Sequence, residues 1–308
     1  MGLRSWRLVG ALAIASVVGA CAGGPSEPSS PASSAASPGA SAEARDWVRD
    51  IDVGGRTLSV ACVGPTDSGR PTVIFEAGLG SDRREWGDVM TGLMATDRGC
   101  SYDRAGLGLS EPAPKPRTTD DQVDDLHALL AAAGLKPPYV FVGHSLGGWN
   151  VMVYGGRYPD DVAGVVMVDV RPPAFSKESF AALPKETAGE SDALHQTRAE
   201  ADFEKDPTKN PEGLDLIKSA AQAEATRGFG AVPLTVLTAG DRVAVTEGLP
   251  TAVAKDVDAI WMKLQTGLVG LSSNGQQEIV DGATHDMPGE KPDVIVKAIQ
   301  DVLGESGG

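Results

Sequence analysis

The sequence predicts an α/β protein with a mostly parallel, eight-stranded sheet, helices on both faces and one helical insertion. Three observations carry that prediction. Apolar, β-branched runs such as Pro138–Gly143 and Gly164–Val170 show no polar alternation, which marks strands covered on both faces, as in parallel sheets. Helix-patterned stretches separate these runs at the spacing of βαβ units. The alternation then breaks over the 60 residues 171–230, where many charges and short helical patterns punctuated by Pro184, Pro207 and Pro211 replace any strand signal. An insertion there is where a lid would sit.

Taken in order, Trp47–Val53 and Thr57–Val63 read as two strands joined through Gly54-Gly55, a strong hairpin signal. Pro71–Glu76 is the third strand and runs into the turn Gly78-Leu79-Gly80. A helix over Glu85–Ala95 leads to a strand at Gly99–Asp103. The next helix has the clearest pattern: Thr118 or Thr119 caps it, Asp120 and Asp121 occupy its first turn, and Val123, Leu126, Leu129 and Leu130 form its apolar face. It stops at Gly134. Strand 138–143 is followed by a helix from about Leu146 to Tyr158, and strand 164–170 by the insertion. The pattern resumes with strand 233–238, a helix over about 250–266, a strand at 277–281 and a last helix at 292–303.

The first 45 residues do not read as folded protein. Arg4 and Arg7, the apolar run Leu8–Val18 and the small residues Gly19 and Ala20 have the layout of a secretory signal. The run is too short to span a bilayer stably. Val18-Gly19-Ala20-Cys21 resembles a bacterial lipobox, and that resemblance implies that Cys21 is acylated and becomes the first residue after cleavage. Residues 22–45 are almost wholly Ala, Ser, Pro and Gly, so they cannot bury enough apolar surface to order themselves. A coil of that length is expected to reach roughly 25–30 Å.

The remaining 263 residues, 46–308, suffice for one well-buried domain. Loss of residues 1–20 removes two arginines and no acid, taking the net charge from −15 to −17. A chain this acidic is a poor nucleic-acid binder and weakly disfavours anionic substrates. Cys62 and Cys100 are a disulfide or two buried thiols; export favours considering the bridge, but composition does not choose.

The chemistry centres on Gly143-His144-Ser145-Leu146-Gly147. G-x-S-x-G is a weak signal by itself in a chain with 38 glycines. Its place between a strand and a helix strengthens it, because a nucleophilic serine must project from a tight turn there. Such a hydroxyl needs a base, and only four histidines are available. His127 lies within a helix near its apolar face, His144 is pinned inside the turn, and His195 falls in the insertion. His285 follows the last strand and gives the chain order serine, acid, histidine. Of eleven aspartates between Ser145 and His285, two stand at strand ends, Asp169 and Asp241. Asp241 is favoured, since it belongs to the strand-and-turn unit preceding the histidine's. The backbone N–H groups of Leu146 and Leu79 are the candidates for an oxyanion hole.

Together, Glu76-Ala77-Gly78-Leu79-Gly80, Tyr102–Ser110, Gly143–Gly148, Gly240-Asp241-Arg242 and His285 resemble the α/β-hydrolase superfamily over essentially all of 46–308. The chain departs from that family's commoner His-Gly at the oxyanion loop, having Ala77-Gly78. The resemblance implies that the second strand lies beside the fourth, which would put Cys62 and Cys100 on neighbouring strands. It also implies that the segment at Tyr102–Ser110 shapes the loop after the fourth strand. A serine at the turn argues against dehalogenases and epoxide hydrolases, which carry aspartate there. What remains is hydrolysis of small carboxylic esters, with thioesters, carbon–carbon bonds, peptides and perhydrolysis as alternatives. No dinucleotide fingerprint or metal-ligand spacing is seen, so no cofactor or metal is implied. The membrane is expected to be a partner only through the N-terminal lipid. A non-catalytic surface binding protein on the same scaffold is the alternative of another class.

Overall fold

The computed structural model describes residues 45–242 and 246–306. The expected signal, the expected Cys21 anchor and, but for Arg45, the expected tether lie outside them. Eight strands form one sheet: β1 (Trp47–Asp52), β2 (Thr57–Val63), β3 (Thr72–Glu76), β4 (Gly99–Tyr102), β5 (Tyr139–His144), β6 (Val162–Val168), β7 (Leu234–Ala239) and β8 (Gly275–Val280). Their spatial order is β1-β2-β4-β3-β5-β6-β7-β8. Strand β2 is antiparallel to β1 and β4, and every pairing from β4 through β8 is parallel.

The missing polar alternation in β5 and β6 has its physical reason in two cores. Phe141, Val165 and Met167 point into one, with Leu126 and Leu129 of α2 (Thr119–Ala132) and Val151 to Tyr154 of α3 (Gly147–Arg157). Val140, Val142, Val166 and Val168 point into the other, with Trp86, with Val89 and Leu93 of α1 (Gly87–Leu93), and with Ile295 and Ile299 of the last helix. Each such side chain contributes about 1.5–3 kcal/mol on leaving water. Helix α2 begins as its sequence implies: the Asp121 carboxylate accepts from the Thr118 N–H and Oγ1, both at 2.8 Å. His127 sits less deeply than its helical position suggested, with its ring half exposed and stacked 4.0 Å from Tyr158.

Cys62 and Cys100 face each other across β2 and β4 and are joined by a disulfide. The bridged residues are 38 apart in the chain, and closing such a loop removes denatured-chain entropy equivalent to about 4 kcal/mol.

Residues 171–230 carry helices α4 (Phe175–Ala182), α5 (Asp192–Lys205) and α6 (Leu216–Glu224) and no strand among the described residues. Helix α7 (Thr251–Leu268) precedes β8, and α8 (Pro292–Glu305) closes the chain. A third cluster joins Phe175 of α4 and Leu194 of α5 to Val253, Val257 and Trp261 of α7. No helix among the described residues is long and apolar enough to cross a membrane.

Candidate active site

The carboxyl ends of β5, β6 and β8 bring three side chains together. Ser145 follows β5 directly, in a left-handed conformation with φ of 52°. Its own peptide groups are spent on holding the turn: its N–H donates to Val168 O and its carbonyl accepts from Gly148 and Arg171. Glycine is required beside it, because a Cβ on Gly147 would lie 2.4 Å from Glu76 O and 2.5 Å from Ala77 O. That close approach sets the start of α3 against the Ala77–Gly80 loop.

His285 stands in the turn after β8, its side chain 41 % exposed. Its Nε2 lies 2.9 Å from Ser145 Oγ and its Nδ1 lies 2.6 Å from Asp169 Oδ2. The acid facing the histidine is therefore Asp169, and the expectation for Asp241 is corrected. Asp169 adopts φ of 39°, which ends β6 at Val168, before the expected boundary, and turns the carboxylate inward. Its side chain is wholly buried, and its Oδ1 accepts from the Ala239 N–H at 3.0 Å. Ser145 and Asp169 are the only non-glycine residues with positive φ among the described residues. Such conformations cost about 1–3 kcal/mol each and persist where the surroundings impose them.

Asp241 is exposed, and its backbone N–H donates to Ala283 O at 2.9 Å. This bond ties the end of β7 to the turn carrying His285. The loop from β8 passes beyond β7 to reach β6, so adjacency in sequence misplaced the acid. From the end of β7 it is Arg242 that turns inward. Its guanidinium lies 3.9 Å over the Trp261 ring and 3.8 Å from Asp169 Oδ2, while Trp261 meets His285 edge-on at 6.1 Å. In the sequence Arg242 stood only within the family-resembling stretch Gly240-Asp241-Arg242 with no role of its own, and Trp261 was not singled out.

His144 also bridges elements. Its Nδ1 lies 2.6 Å from Glu85 Oε1 and its Nε2 2.8 Å from the backbone oxygen of His285. Burial pushes its pKa down, but Glu85 and the His285 carbonyl outweigh that, and the net shift is upward. Glu85 shifts the other way: burial raises it, and His144 more than reverses the effect. Glu85 also accepts from the Gly78 N–H, so one buried pair braces both the Ala77–Gly80 loop and the His285 turn.

A cavity of about 380 Å³ opens at Ser145, lined by Leu79, Leu146, Trp149, Phe203 and Leu216, with Arg171, Glu200 and Glu204 as its charged members. The N–H groups of Leu79 and Leu146 have no acceptor among the described residues. From the insertion, Phe203 and Leu216 are the apolar side chains that line this cavity, whereas Phe175, Phe180, Leu183 and Ile217 do not. His195 does not line it. It lies with Glu186 and Glu190, their potential ligand atoms within 4.8 Å of one another. Arg198 already engages both Glu190 oxygens, so that group reads as an ion-pair cluster.

The model of the Alpha/beta hydrolase family matches residues 73–298. The chain belongs to that family. Protein YqjL of Bacillus subtilis (strain 168) is 28% identical over 232 residues, covering 75% of this chain and 83% of YqjL. The bifunctional esterase/perhydrolase DCH of Acinetobacter calcoaceticus is 33% identical over 127 residues, 40% of this chain and 45% of that protein. Other curated relatives are likewise matched over less than half their length. Among solved structures, a thermophilic esterase from Thermogutta terrifontis superposes with a TM-score of 0.55 at 20% identity, covering 86% of this chain and all of that one. At that identity the likeness is one of fold.

Proposed function

We propose that this protein hydrolyses small carboxylic esters through an acyl-enzyme on Ser145. One observation carries the reading: His285 lies between Ser145 Oγ and Asp169 Oδ2, at hydrogen-bond distance from both. With Nδ1–H donated to Asp169, Nε2 is free to accept the serine proton. Ser145 Oγ attacks the ester carbonyl carbon, the proton passes to His285 Nε2, and the carbonyl oxygen becomes an oxyanion facing the Leu79 and Leu146 N–H groups. Collapse breaks the bond to the alcohol oxygen, which takes the proton from His285. A water molecule, deprotonated by His285, then attacks the acyl-enzyme, and the acid leaves with Ser145 restored.

The cavity volume supports small substrates, lying near the low end of the roughly 300–1,000 Å³ range of small-molecule pockets. Nitrophenyl acetate or butyrate is expected to show a higher kcat/KM than nitrophenyl palmitate. Equal or better turnover of the long chain would remove the size assignment.

We read the N-terminus as the anchor of an exported lipoprotein, on the motif Val18-Gly19-Ala20-Cys21 and the Ala/Ser/Pro/Gly stretch after it. Membrane fractionation of a Cys21→Ser variant tests this. Release from the membrane is the expected result, and retention places the anchor elsewhere.

A further inference from the structure

Three consecutive peptide N–H groups, those of Gly78, Leu79 and Gly80, lie beside Ser145's turn. Gly78 N–H is taken by Glu85 and Gly80 N–H by Glu212 Oε1 at 2.8 Å. Leu79 N–H alone is left for a ligand among the described residues. What directs it is the opposite edge of the same peptide unit. Arg104 donates from Nη1 to Ala77 O at 2.7 Å and from Nη2 to Gly78 O at 2.6 Å. The Gly78–Leu79 peptide is planar, and in the trans form its C=O and N–H point in opposite directions. Holding Gly78 O toward Arg104 therefore turns the Leu79 N–H away from it.

Arg104 is itself held from a distance of 108 positions in the chain. Glu212 accepts from its Nε at 2.8 Å and its Nη2 at 2.7 Å, and Gln122 Nε2 donates to the same carboxylate at 2.7 Å. Both side chains of the pair are almost wholly buried. Burying such a pair rarely stabilises a fold more than apolar packing would, so fixed geometry is the better account of it. Glu212 belongs to the 171–230 segment, and that segment is shaped to the loop: Gly80 has φ of 76°, and a Cβ there would lie 2.8 Å from Pro211 Cγ.

We infer that Arg104 and Glu212 form a positioning pair through which the 171–230 segment aims the Leu79 N–H at the oxyanion formed on Ser145. The inference rests on the ester-hydrolase reading above. Neither residue touches the reacting atoms; they act through the loop backbone.

The test compares the full-length wild type with Glu212→Gln and Arg104→Lys. The glutamine loses one acceptor for Arg104, and a single ammonium cannot hold two carbonyls and both Glu212 oxygens. Three quantities are measured: kcat and KM on a short-chain nitrophenyl ester, active fraction by fluorophosphonate titration, and Ki of an alkyl trifluoromethyl ketone, whose adduct carries the tetrahedral oxyanion. A lost oxyanion donor costs about 10²–10³ in kcat. The variants are expected to approach that loss, with KM moving less than about threefold and Ki rising with the loss in kcat/KM. A folded variant with wild-type kcat and Ki overturns the inference. So does a fall in active fraction with Ki unchanged, which is the mark of a merely structural role. If Glu212→Gln does not fold, Arg104→Lys, which keeps the buried charge, decides by the same criteria. A wild type that neither turns over esters nor binds the ketone removes the underlying reading instead, and the inference with it.

Discussion

Replacing Ser145 with Ala is expected to lower kcat on nitrophenyl butyrate by about 10⁶-fold, the loss seen when the nucleophile of a comparable triad is removed. Folding should be unaffected. Ser145 is only partly buried, and the hydrogen bonds that hold its turn run through its backbone, which alanine retains. Losing Oγ removes the covalent step and leaves only the contribution of substrate binding and the oxyanion donors. Steady-state turnover with matched circular dichroism spectra checks it. Wild-type turnover by a folded variant would place the chemistry elsewhere.

The second large effect belongs to Asp169. Asp169→Asn is expected to reduce kcat by about 10⁴-fold, as tautomer reversal does in the best-studied serine triad. The structure explains why. Oδ1 of residue 169 accepts from the Ala239 N–H, and an asparagine would keep its carbonyl oxygen there. Its NH₂ would then face His285 Nδ1 and force that nitrogen to accept. The remaining ring proton would move to Nε2, which faces Ser145 Oγ, and the base would be lost. Asp241→Asn changes an exposed side chain that stands outside the Ser145–His285–Asp169 chain of hydrogen bonds, so its loss in kcat is expected to be far smaller than that of Asp169→Asn. Parallel kcat measurements on the two variants rank the two acids. The reverse ranking would return the role to Asp241.

That ranking marks where the sequence became illegible. The strand–helix alternation, the two-sided burial of β5 and β6 and the turn at Ser145 all follow from local pattern, and all stand in the structure. The pairing of His285 with Ser145 was reachable because so few histidines compete for it. The acid was not, since Asp169 and Asp241 both close apolar strands. What separates them is a long-range matter of which strand end the β8 loop crosses to reach. One local signal favoured Asp169: it follows the unbroken apolar run ending at Val168, where a buried carboxylate needs partners. Asp241 instead follows a glycine in a turn.

The buried charge networks were the least legible part. Glu85 with His144, Arg104 with Glu212, and Arg242 over Trp261 each join residues far apart in the chain. In one sequence such residues look like ordinary surface charge, because no short-range period records their partners. Cys62 and Cys100 show the contrast. Composition left them open, and their direct opposition on β2 and β4 settled the pair once strand order was known.

The central claim is that Ser145 is a nucleophile activated by His285 and Asp169. Treating the wild-type protein with a fluorophosphonate probe and sequencing the modified peptide by mass spectrometry tests it most directly. One adduct per chain on Ser145, lost on prior denaturation and absent from a His285→Ala variant, is the predicted result. A folded wild-type protein left unlabelled, or labelled at another residue, would contradict the claim.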